Sequence, residues 1–155
     1  MIEKEFRDIL DCNDRYKLFV YPIDKKSLNE KLNSFNKIPT INIGKELAFF
    51  LDKLEDYKYL NFEVCEFLEN LIEKNKTKIF EKNEVLAIYN IGILFETALE
   101  INVSQLLLNF SKTVCIILVW EDEIIDSGIL RSGSKTNSFQ MDFRDINLKK
   151  INNVI

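Results

Sequence analysis

Two nearly uninterrupted apolar runs constrain this chain more than any other feature, VLAIYNI at residues 85–91 and VCIILVW at residues 114–120. Each has the length of a strand, and the segment between them is long enough for a helix. A strand with one face in water alternates apolar and polar residues; these do not. They therefore read as parallel strands buried on both faces and joined by a helical crossover. Open α/β sheets bind ligands outside the carboxyl ends of their strands. That rule puts Tyr89, Asn90 and Gly92 at the tip of the first run, and Glu121 and Asp122 at the tip of the second, where function is expected.

A chain of 155 residues, 46% apolar and 30% charged, can bury one core without disulfides or metals. A single α/β domain over residues 1–155 is expected, three-layered, with a mostly parallel sheet. Before the first apolar run, KLFVYPI at residues 17–23 reads as a strand closed by Pro22. Asp24 then serves as N-cap of a helix over residues 25–35. A leading helix covers residues 2–11, and a short strand follows Pro39 at residues 40–43, with Gly44 opening the next turn. Leu47, Phe50, Leu51 and Leu54 share one face of a helix over residues 45–54. A second helix over residues 62–75 turns Phe62, Cys65, Leu68, Leu71 and Ile72 inward, and the polar run at residues 73–83 contains the loop into the first apolar run. Residues 95–98 read as a helical turn, and residues 103–110 as the crossover helix that lays Leu106, Leu107 and Phe110 on the sheet. Beyond Trp120 the pattern loosens into a hairpin or loop, an edge strand at residues 138–143, and a short final helix within residues 145–155.

Composition narrows the chemistry. There is no histidine, so the usual general base and the common zinc patterns are missing. Cys12, Cys65 and Cys115 lie far apart and read as reduced, buried thiols of a cytoplasmic protein. A net charge of −4 offers no general attraction to nucleic acid. No apolar run approaches the ~20 residues that cross a bilayer, and the acidic start MIEKEFRDIL lacks a signal-peptide pattern.

The first strand and the turn after it are where a phosphate-binding loop would lie. A P-loop needs G-x-x-x-x-G-K-[ST], so that glycines curl backbone N–H groups round the phosphates while Lys and Ser/Thr reach the oxygens and Mg²⁺. The stretch VYPIDKKS places Lys26 and Ser27 at the Lys-Ser positions, but Val20 and Lys25 stand where the glycines belong. Asp24 sets a carboxylate where phosphates would lie. The 85–91 run carries no acid at its tip for Mg²⁺ or water, the first being Glu96. Glu121, Asp122 and Glu123 read as a solvated loop before a divalent-cation site, and Ser111-Lys112 as a helix end before a phosphate contact. Arg131, Lys135 and Arg144 read as parts of a soluble loop, with a small basic surface as the other reading. Phe49, Phe50, Tyr57 and Tyr59 are more aromatics than one face buries, and helix packing or a protein-binding patch would account for them.

INIGKELAFFLDKL, LAIYNIGILFETAL, LLLNFSKTVCIILVW and SGILRSGSKTNSFQMDF, in that order, resemble the small P-loop protein of bacterial BREX phage-defence systems, BrxF. The resemblance covers roughly residues 16–143 and implies a P-loop NTPase-like core. That family has a genuine P-loop, of which only Lys26 and Ser27 remain here. Its strand-end acids align with Tyr89 and Gly92, and its Ser-Arg pair with Ser111-Lys112. The resemblance thus implies a core lacking an intact P-loop. It points to a non-catalytic assembly or regulatory subunit of an antiphage defence system whose partners are the system's other proteins. Two alternatives stand beside it: a weak ATP-binding switch using Lys26 and Ser27, or an unrelated α/β adaptor or immunity protein. Oligomeric state is left open.

Overall fold

The computed structural model describes residues 2–11, 14–80, 83–133, 138–146 and 148–152, so Cys12, Lys135 and the last residues of the tail lie outside the described residues. Helix α1 (Ile2–Leu10) leads into strand β1 (Leu18–Pro22), a 3₁₀ turn (Lys25–Ser27) and helix α2 (Leu28–Asn33). Strand β2 (Thr40–Asn42) runs straight into α3 (Ile43–Asp52), followed by α4 (Leu60–Asn75), β3 (Thr77–Ile79) and β4 (Asn83–Tyr89). Two 3₁₀ turns (Gly92–Phe95 and Thr97–Leu99) precede α5 (Val103–Ser111) and β5 (Cys115–Trp120). Then come β6 (Glu123–Ile125), β7 (Ile129–Ser132), β8 (Phe139–Asp142) and β9 (Lys149–Lys150).

The main sheet has the order β2-β4-β5-β1-β9, all parallel, with β3 antiparallel against the first half of β4. Alternate residues of the three central strands feed two separate cores. Leu18 and Val20, Leu86 and Ile88, and Ile116, Leu118 and Trp120 face α3, α4 and α5. Phe19 and Tyr21, Val85 and Ala87, and Cys115, Ile117 and Val119 face α1 and α2. Register aligns them in rows, Leu86 beside Ile116 beside Leu18 on one face and Ala87 beside Ile117 beside Phe19 on the other. Both faces are covered, which is why the two runs read without alternation. The architecture is the expected three-layer α/β fold with a mostly parallel sheet.

Several local expectations are corrected. The tail is not a helix in its described part: Lys149 and Lys150 pair in parallel with Phe19 and Val20, and the Ile151 N–H donates to the Val20 carbonyl at 2.9 Å. The polar run at residues 73–83 also holds a strand that was not expected, because β3 pairs there with β4 through backbone groups that side-chain patterning does not report. Gly44 is the second residue of α3 rather than a turn. Asp24 does cap a helical turn, its carboxylate accepting the Lys26 N–H at 3.3 Å, but that turn is 3₁₀ and α2 ends at Asn33. Phe62 is 68% exposed, because α4 starts at Leu60 and turns Val64, Leu68 and Ile72 inward. The segment after Trp120 forms a separate antiparallel sheet, β6-β7-β8. Its Leu130 and Met141, with Phe143 just after β8, join the core around Trp120.

At the amino ends of the strands a polar knot ties α1 to the sheet. Buried Asn83 accepts from the Lys17 ammonium at 3.4 Å and donates to the Asp11 carboxylate at 3.1 Å, while Lys17 also reaches the Leu10 carbonyl at 3.1 Å. Ser111, at the same end, is fully buried and donates to the Leu108 carbonyl at 2.8 Å. Among the described residues, no helix is long and apolar enough to cross a membrane.

Candidate functional site

The crossover after β1 passes over the α1/α2 face, whereas the chain leaving β5 turns to the opposite face, where the small sheet packs. Adjacent strands whose chains depart to opposite faces leave a crevice at their carboxyl ends, the topological switch point at which open α/β sheets bind ligands. A cavity of about 120 Å³ lies there. Its walls come from the tip of β4 (Tyr89, Asn90, Gly92), the tip of β5 (Trp120, Glu121, Asp122), the small sheet (Ser132, Phe139), and Leu28 at the start of α2. All five tip residues singled out in the sequence line it.

Each wall is held by local chemistry. Asn90 ends β4 in the left-handed region, φ 58°, which a non-glycine residue adopts at a cost unless its surroundings hold it. Its side-chain amide donates to Asn42 Oδ1 at 2.8 Å, and its carbonyl accepts the Gly44 N–H at 2.9 Å. Asn42 Oδ1 also caps α3 through the Lys45 N–H at 3.0 Å, so the ends of β2 and β4 are fixed together. On the far wall the Phe139 ring stacks on Phe95 with centroids 3.8 Å apart. The Trp120 indole N–H donates to the Glu123 carbonyl at 3.1 Å, turning the chain sharply into β6.

The acid run after Trp120 does not act as one solvated cluster. Asp122 turns inward, its side chain 22% exposed, where the Ser132 hydroxyl donates to one oxygen and the Lys25 ammonium sits 3.1 Å from the other. That carboxylate, by its hydrogen bond and its charge, with Glu121 adding, raises the pKa of Lys25 above the usual lysine value. Glu123 points away to Arg131, 3.7 Å off. Among the described residues no group of three His, Cys, Asp or Glu could hold a metal ion.

Lys26 and Ser27 stand on the 3₁₀ turn beside this cavity and are not part of its lining. Lys26 is exposed, and its backbone N–H is taken by the Asp24 carboxylate; the Ser27 N–H is taken by the Asp24 carbonyl at 2.9 Å. Ser111 and Lys112 lie at the opposite end of the sheet, with Lys112 5.8 Å above the Tyr16 ring. Glu96 is exposed and outside the cavity. Arg131 and Arg144 are separately engaged, Arg144 with Asp142 at 2.7 Å, so they do not make a joint basic surface. Burial, then the charge of Glu69, pushes the Cys65 thiol above its ordinary range, which disfavours a thiolate nucleophile; Cys115 is buried. Sequence reasoning missed Leu28, Ser132, Phe139 and the Lys25–Asp122 contact. These meet only through the fold of the small sheet over β5, for which no local pattern exists.

Compared with protein-family models, with curated proteins and with solved structures, the chain matches none.

Proposed function

We propose that this protein is a non-catalytic, P-loop NTPase-like component of a bacterial antiphage defence system, resembling the BREX protein BrxF, and that it works in the cytoplasm as an assembly or regulatory subunit through protein contacts. The observation that carries the non-catalytic part is the state of the turn after β1. β1 lies inside the sheet and its chain enters a helical turn at the switch point, the position from which a P-loop would serve phosphates. There the Asp24 carboxylate already takes the Lys26 N–H, and Lys25 is engaged by Asp122. The facing strand tips offer Tyr89, Asn90 and Gly92, none of which can hold Mg²⁺ as a carboxylate does. A phosphate would meet Asp24, Glu121 and Asp122 instead of a cradle of free N–H groups.

The aromatic surface favours work through contacts. Phe49, Tyr57, Tyr59 and Phe62 are each more than half exposed around α3, α4 and the loop between them, while Phe50 is stacked on Phe67 at 4.4 Å. The test is genetic. Deleting the gene from a host carrying the whole defence locus is expected to raise phage plating efficiency. A Lys26→Ala/Ser27→Ala double variant is expected to restore protection as fully as the unaltered gene. Protection unchanged by the deletion overturns the defence role, and loss of protection in the double variant overturns the non-catalytic reading.

A further inference from the structure

The cavity at the switch point has the wrong charge for a nucleotide and the right walls for something else. We infer that it receives an organic cation, a guanidinium or primary ammonium group. The inference deepens the proposed function by naming what the altered site takes, and it rests on that reading only in treating the cavity as no longer a phosphate site.

Size comes first. A cavity of about 120 Å³ has room for a planar guanidinium or an ammonium group. The lining comes next. Tyr89, Trp120 and Phe139 supply three aromatic side chains, and aromatic faces attract cations through their ring quadrupole. Glu121 and Asp122 supply two carboxylates, and the Asn90 side-chain amide supplies a further polar group. Among the described residues no cationic side chain belongs to the lining, and Lys25 meets it only at Asp122.

Asp122 is pre-organised for the task. The Ser132 hydroxyl fixes one of its oxygens, leaving the other to take an N–H donor. That donor is now Lys25, whose side chain is 67% exposed and reaches in from the turn after β1. Lys25 is thus a tethered ammonium already using part of the site, held by a contact that solvent screens and a guest can displace. Glu121 makes no ion pair within 4 Å among the described residues, and its charge acts on Lys25 only from farther off. A guanidinium could bridge both carboxylates with its planar set of donors, which a single lysine ammonium does less well.

Trp120 is the only tryptophan in the chain and lines the cavity, so its emission reports occupancy directly. The full chain is titrated with agmatine, with a capped Gly-Arg-Gly peptide, and with inorganic pyrophosphate. A saturable change in Trp120 emission is expected with agmatine or the peptide and not with pyrophosphate. Lys25→Ala is expected to tighten cation binding about two- to fivefold by removing the tethered competitor, and Glu121→Gln to weaken it by a similar factor. Tighter binding of agmatine than of the peptide assigns the site to a free small cation; the reverse assigns it to an arginine side chain of a partner protein. No saturable response to either cation, in both the unaltered protein and a folded Lys25→Ala variant, overturns the inference while leaving the non-catalytic reading intact. Weaker cation binding in Lys25→Ala, or a response to pyrophosphate that Lys25→Ala abolishes, also overturns it.

Discussion

Phe143→Ala is expected to destabilise the protein by about 3–5 kcal/mol, the range for truncating a fully buried phenylalanine. Phe143 is 1% exposed and belongs to the core cluster that holds Trp120, Leu130 and Met141. It follows β8 directly, and its N–H donates to the Gly128 carbonyl at 2.8 Å, so its ring is fixed by backbone on the small sheet's side. Removing the ring opens a void in that core, which the surrounding elements cannot collapse to fill without shifting β8. Urea denaturation measures the loss, and melting should fall on the order of 10 °C. A loss below about 1 kcal/mol would mean that the small sheet is not part of the main core, and the cavity wall it supplies would be in doubt.

Gly44→Ala is expected to destabilise as well, by about 1–3 kcal/mol, although a glycine inside a helix normally costs about 1 kcal/mol relative to alanine. The sign reverses because of Asn90. A methyl group at Gly44 would press into the Asn90 side-chain amide and lie 3.0 Å from the Asn90 carbonyl oxygen. The amide cannot swing away freely, since it donates to Asn42, and the carbonyl is the acceptor for the Gly44 N–H itself. Asn90→Gly, which suits the left-handed backbone there and removes the obstructing amide, should recover part of the loss in the double variant. Thermal melts of the four proteins form the cycle. A Gly44→Ala variant more stable than the original would contradict the tight approach of α3 to the tip of β4.

These two sites show what could and could not be read from the chain. β4 and β5 were legible because burial on both faces leaves an apolar run with no alternation, a signal carried by side chains alone. The position of the cavity followed from the same runs, since their tips are by construction the carboxyl ends of the central strands. β9 and β3 were not legible: two or three residues pair through backbone N–H and C=O groups, and Lys149-Lys150 or Thr77-Lys78-Ile79 carry no pattern that announces it. Phe62 was assigned to the wrong face because apolar spacing along α4 fits two phases a residue or two apart, and only the packed sheet chooses between them. Gly44 looked like a turn because glycine is commonest there; its reason is the approach of Asn90, 46 residues away in sequence. Asp122 looked solvated for a similar reason. Its inward turn depends on Ser132 and Lys25, one far downstream and one far upstream.

Under the proposed function the turn after β1 does not bind a nucleotide, and the decisive experiment is calorimetric titration of the full chain with Mg-ATP, with Lys26→Ala as control. No heat of binding and no shift in melting temperature are expected at millimolar ATP. Saturable binding tighter than about 100 μM, roughly −5.5 kcal/mol, that disappears in Lys26→Ala would contradict this and make the protein a nucleotide switch.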